Sequence, residues 1–200
     1  MPIIGSLAGV SSRGLGGLRT FGAAVVNSFE SIQTITVGSG GQATIEFTSI
    51  PSTYKHLHLR TSDKISRSLA TMAGGIRIKF NSDSTTGNYF SQRLLSDGGN
   101  PHYGNVYTGY STGAYLFDSV GNSVASAVFS STLIDIFDYS NTNAITTVRT
   151  MGGGTPSSGA EAYFFGGMWN STATVTTITL TEPSYNWVEG TTISLYGVKG

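Results

Sequence analysis

From Ser31 onward the chain alternates apolar and polar residues with period two, in short runs separated by turn residues. Thr34–Val37, the turn Gly38-Ser39-Gly40-Gly41 and Ala43–Thr48 together predict a β-hairpin. Leu57 and Leu59 face one way and His56, His58 and Arg60 the other. Ile76, Ile78 and Phe80 alternate in the same manner with Arg77 and Lys79. Val124–Tyr139 is a longer run with apolar residues on both faces, the pattern of a central strand or a subunit contact. Further strands are expected at Ala144–Thr150, Ala162–Met168, Thr172–Thr181 and Thr191–Val198. A helix of roughly two or three turns is predicted over Asp63–Ala73, where Ile65, Leu69 and Met72 fall at helical spacing. Elsewhere glycine and β-branched residues oppose helix. About eight or nine short strands define an all-β domain over residues 30–200, an antiparallel jelly-roll-like β-sandwich.

The beginning of the chain is different. Met1–Phe29 holds six glycines (Gly5, Gly9, Gly14, Gly16, Gly17, Gly22), two arginines and no acid, and follows neither period. Its arginines stand where a secretory signal would be apolar. It reads as an extended Gly-rich N-terminal arm. Such an arm buries too little to offset its own conformational entropy, so it is expected to gain order against a neighbouring subunit.

Composition adds an assembly-like surface. Only 11% of the 200 residues are charged, against about 25% in an ordinary soluble protein. Gly (27), Ser (27) and Thr (26) take their place, with Thr suited to the solvent faces of strands. Eleven cations balance eleven anions, so no global field draws the chain to nucleic acid. The longest apolar run, Ala23–Val26, is too short for membrane insertion. Residues 1–80 carry 8 − 3 = +5 and residues 81–200 carry 3 − 8 = −5, an asymmetry expected to vanish if strands of both halves interleave. The absence of Cys excludes disulfides, thiolate metal sites and cysteine catalysis.

Candidate chemistry is sparse. Gly109-Tyr110-Ser111-Thr112-Gly113 matches a nucleophile-elbow pattern, but no good helix follows it and all three histidines precede Ser111. His56 and His58 share a strand face without a third ligand nearby, as a solvent-facing pair does. Asn81–Asn88 is rich in oxygen ligands but lacks regular acidic spacing, and reads as a polar turn rather than a calcium loop. No cofactor and no metal are expected, and the chain does not read as an enzyme. The aromatic residues stand out. Tyr103, Tyr107, Tyr110 and Tyr115 crowd a Gly/Ser/Asn-rich segment that reads mostly as loop. They suit either a sugar-stacking recognition surface or the packing of one sandwich end or a subunit interface.

Ser12-Arg13-Gly14-Leu15-Gly16 resembles a short motif near the N-termini of tailed-bacteriophage virion proteins, notably those of marine and cyanobacterial hosts. Ser31–Gly38 followed by Ile45–Tyr54 looks like the opening of a recurrent phage structural β-domain. Ile76–Asn81 with Asn88-Tyr89, and Ile193–Gly197, resemble its later strands. The resemblance implies a non-enzymatic virion structural protein of tail-fibre or head-decoration type, located in the virion, with no catalytic residues to carry over. The resemblance does not choose among these types; the aromatic segment, read as a recognition tip, favours a short tail fibre or appendage subunit, expected to be a homotrimer, anchored by arm residues Ser12, Arg13, Gly14, Leu15, Gly16, Arg19 and Phe21 on other virion proteins. The alternatives are a capsid decoration protein and a carbohydrate-binding β-sandwich module, the latter with a host surface glycan as partner.

Overall fold

A computed structural model describes residues 28–97, 103–156 and 159–200. Within them the chain forms twelve strands: β1 (Phe29–Thr36), β2 (Thr44–Phe47), β3 (His56–Asp63), β4 (Met72–Phe80), β5 (Tyr89–Ser96), β6 (Tyr103–Thr108), β7 (Ala114–Val120), β8 (Ser130–Phe137), β9 (Thr146–Gly154), β10 (Glu161–Trp169), β11 (Ile178–Thr181) and β12 (Thr192–Val198). Eight lie in one sheet in the order β1-β12-β3-β8-β9-β10-β5-β6, and four in a second in the order β2-β11-β4-β7. Every named pairing is antiparallel. The fold is an antiparallel sandwich of jelly-roll type. β11 sits between β2 and β4, and β12 between β1 and β3, so the oppositely charged halves of the sequence interleave in both sheets.

The period-two pattern places the core between the sheets. Phe47, Ile78, Phe80, Ile178 and Leu180 from the smaller sheet meet Leu59, Ile134, Ile136, Ile193 and Leu195 from the larger, all fully buried. Each such side chain contributes roughly 1.5–3 kcal/mol. β3 and β4 form as their alternation predicts, with burial at every second position.

Several expectations are corrected. The hairpin over residues 34–48 does not form, because the chain changes sheet there: β1 pairs with β12 and β2 with β11. Its glycine turn serves the crossing. Gly41 has φ +74, and a Cβ on it would meet the Trp187 carbonyl oxygen at 2.6 Å. The helix over Asp63–Ala73 is absent. Ile65 N bonds Val120 O, Ser66 N bonds Asn186 O, and Val188 N bonds Lys64 O, so the backbone groups a helix needs are taken by other segments. The run Val124–Tyr139 is a strand only over β8, which is central as expected; its outward face is apolar mainly at Leu133. Of Thr172–Thr181, only Ile178–Thr181 is strand. The segment around the tyrosines, read mostly as loop, instead supplies β5, β6 and β7.

Candidate functional site

β6 and β7 are each the last strand of their sheet and are consecutive in the chain, so the turn at residues 109–113 joins the two sheets along one edge of the sandwich. Gly113 makes the turn possible: it has φ +111, and a Cβ there would lie 2.3 Å from the Ile78 carbonyl oxygen. A cavity of about 350 Å³ opens at this edge, lined by Tyr107, Tyr110, Tyr115, Arg67, Arg77 and Glu182 among others.

The predicted tyrosines converge here. Tyr107 meets Tyr115 edge-on at 4.6 Å between ring centroids, and Tyr110 lies 6.4 Å from Tyr107. The Arg77 guanidinium stands 4.5 Å over the Tyr110 ring and donates to the Thr112 hydroxyl. All three rings are half-buried: they pack the sandwich edge and also wall a cavity. Tyr103 heads β6 opposite Leu95, but its side chain lies outside the described residues. So do Ser12, Arg13, Gly14, Leu15, Gly16, Arg19 and Phe21 of the arm.

Behind the rings is a buried polar network. Arg93 Nη1 donates to Asp118 Oδ2 at 2.9 Å, and the Tyr115 hydroxyl donates to Asp118 Oδ1 at 2.5 Å. The Tyr163 hydroxyl donates to the Asp118 carbonyl at 2.9 Å. Burial pushes the Asp118 carboxyl up, against the lowering by Tyr115 and Arg93. Burial and then the Asp118 charge push Tyr115 well above its ordinary value, so it stays a neutral donor. Nothing in the alternation pattern singles out Arg93 and Asp118, because their packing across the two sheets needs the fold; Arg77 was visible only as a solvent-side member of β4. Ser111 lies in a strand-to-strand turn, not a strand-to-helix elbow, and no histidine lines the cavity.

A second surface lies on the outer face of the eight-stranded sheet. Leu133 opposes Met151, Met151 opposes Phe164, and Phe164 opposes Leu94 in direct register. Val106 continues the row from β6, opposite Gln92. These five apolar side chains are between 41% and 69% exposed, and form a continuous band across five strands. Phe29 lies on the same face at the other end, against Tyr196 and His58 and beneath Arg60.

The remaining candidates are occupied internally. His58 pairs with Asp135 at 2.7 Å, while His56 accepts from the Asp138 amide, so the two imidazoles turn to separate partners. In the 81–88 turn, Asp83 accepts from Thr85 N, Asn88 Nδ2 and Trp169 Nε1. Burial works to raise this carboxyl, but those donors outweigh it and hold it well below the usual range.

No protein-family model and no curated protein matches the chain. Among solved structures, the exoplasmic/lumenal domain of VIP36 in its Ca²⁺/Man3GlcNAc-bound form is similar at a TM-score of 0.28 and 9% identity, over 84% of this chain and 89% of that one. A PL-14 alginate lyase from Aplysia kurodai follows at 0.27 and 9%, over 78% and 82%. A protein of unknown function from Shewanella oneidensis MR-1 stands at 0.21 and 6%, over 86% and 76%. Similarities this slight transfer neither activity nor ligand to this chain.

Proposed function

We propose that the chain is a non-enzymatic structural subunit of a tailed-phage virion, a short tail fibre or appendage component. Its sandwich packs against sister copies, and its arm, residues 1–29, docks it on neighbouring virion proteins. The observation that carries the assembly reading is the exposed apolar band Leu133–Met151–Phe164–Leu94–Val106 on the outer sheet face. The occupant we assign to it is a second copy of the chain. Eight strands about 4.8 Å apart and roughly 25 Å long give a face on the order of 900 Å². That matches the ~800 Å² per partner of a stable interface. Placement in a phage particle rests on the sequence resemblance of the arm and strand motifs.

Light scattering after size exclusion tests the assembly. The full chain is expected at three times 21.0 kDa. The variant Leu133→Ser, Met151→Ser, Phe164→Ser is expected as a monomer with its fold retained, because these side chains already face water in the single subunit. A monomeric wild-type chain would reject the fibre assignment and favour a decoration protein that associates only on a capsid lattice. A triple variant that stays trimeric would move the interface elsewhere.

A further inference from the structure

We infer that the cavity at the β6–β7 edge is a binding site for an acidic saccharide, a pyranose ring carrying one carboxylate. The inference stands on different residues from the assembly reading and does not depend on it.

Three features define the ligand. Tyr107, Tyr110 and Tyr115 wall the cavity with aromatic rings, the surface that stacks on a sugar ring, while the Tyr115 hydroxyl is spent on Asp118. The polar groups not yet committed are mostly donors. Both Asp118 oxygens are taken, by Tyr115 and Arg93. Arg67 and Arg77 have no carboxylate within ion-pair distance among the described residues, and Arg77 Nε is buried with no hydrogen-bond partner. A guanidinium fork matches a carboxylate in geometry as well as charge. Glu182 gives one oxygen to the Ser184 and Tyr185 amides, which leaves the other to accept from a sugar hydroxyl.

Charge balance selects among anions. The lining holds Arg67 and Arg77 against Asp118 and Glu182, and Arg93 pairs with Asp118 from behind the wall, which leaves one guanidinium in excess of the Glu182 charge. A monoanionic uronate neutralises it, whereas a dianionic phosphate ester does not. The volume of about 350 Å³ lies near the lower end of small-molecule sites, in keeping with a single ring or a chain end.

The test is an NMR titration of the full chain, following the tyrosine ring resonances, with methyl β-glucuronide, methyl β-glucoside, sodium acetate and inorganic phosphate. The glucuronide is expected to shift the Tyr107, Tyr110 and Tyr115 signals to saturation, with affinity roughly tenfold or more above the other three, as loss of one charge-assisted contact implies. Arg77→Gln is expected to weaken glucuronide binding by about the same factor. Gly75→Val supplies a second variant: a Cβ there meets only the Tyr115 ring, at 3.5 Å, an ordinary contact, so the added side chain narrows the cavity beside that ring and is expected to weaken binding by roughly tenfold or more. Retained thermal unfolding of both variants keeps the comparison valid. Equal binding of the glucoside overturns the acidic specificity, and equal binding of acetate or phosphate overturns the saccharide. No saturable shift with any probe, or undiminished binding by Gly75→Val, overturns the site itself.

Discussion

β3 and β5 belong to the same sheet, separated by β8, β9 and β10, and they differ at the middle of the strand. β3 turns Leu57 and Leu59 inward and His56, His58 and Arg60 outward, as a strand with one wet face should. β5 turns Arg93 and Ser91 inward and Leu94 outward. The inward arginine is answered by Asp118 from the opposite sheet, and the outward leucine joins the band shared with Phe164 and Met151. Where alternation obeys the core, the strand contributes stability alone. Where a cation replaces an apolar residue on the inner face, the strand gains a buried ion pair inside and an apolar residue outside.

The largest test of this contrast is at Arg93, whose side chain is 13% exposed and that of its partner Asp118 7%. Arg93→Met leaves a buried carboxylate without its cation and is expected to cost about 3–5 kcal/mol in urea unfolding. Adding Asp118→Leu is expected to restore most of that loss, since a buried ion pair replaced by apolar groups is often nearly neutral. A single variant as stable as wild type would show that the inward cation carries no structural weight.

A smaller effect comes from acid. Burial pushes the Asp63 carboxyl up to about 6, against donors from Ser119, Thr61 and Ser130, and burial with the Asp118 charge pushes Glu161 up to about 7. A carboxyl with a folded pKa above its unfolded value holds its proton more tightly when folded. Its ionisation therefore costs stability as pH rises from about 4 through the folded pKa. Acidification from pH 8 to pH 5 is expected to raise the unfolding free energy, with about 1–2 kcal/mol of the gain from Asp63. Asp63→Asn removes that share, read as the difference between the two stability–pH curves; parallel curves would refute it. Below about pH 4 the trend reverses, because Asp83 and Asp135 are held below their ordinary values by hydrogen bonds that outweigh their burial.

The smallest effect sharpens the contrast on the outer face. Arg60→Gln on β3 and Leu94→Gln on β5 are both expected to leave the unfolding midpoint within about 0.5 kcal/mol of wild type. Only Leu94→Gln is expected to weaken self-association, as seen by sedimentation at matched concentrations. Equal loss from both would mean that the band is not what sister copies read.

The conventional strands were legible from the sequence. β4, β10 and β12, and β3 over Leu57 and Leu59, follow the period-two rule closely, because the large side chains at those inward positions are apolar. β5 escaped because Ser91 and Arg93 interrupt the inward pattern, and that polarity makes sense only once Asp118 is brought across from β7. The tyrosines were visible as a group, but Arg77, which stands over Tyr110, and Arg67, which lines the same cavity, come from distant segments. The apolar band was invisible for a related reason: Leu133, Met151, Phe164 and Leu94 are isolated in sequence, and only the register of four neighbouring strands aligns them. The switch of sheet between β1 and β2 was hidden behind a glycine turn equally suited to a hairpin.

The pairing of β1 with β12 has a mechanical side. Ser28 and Lys199 are joined by a backbone bond of 2.9 Å, and Glu30 forms an ion pair with Lys199 across the same corner. A pull that separates Ser28 from residue 200 therefore loads the antiparallel ladder from its end, and its bonds open one after another under a small force. A pull on Ser28 resisted by the sheet face as a whole loads many bonds together in shear. Tension arriving through the arm is thus borne well by a body gripped across its broad face, and poorly by one held only at its last residues.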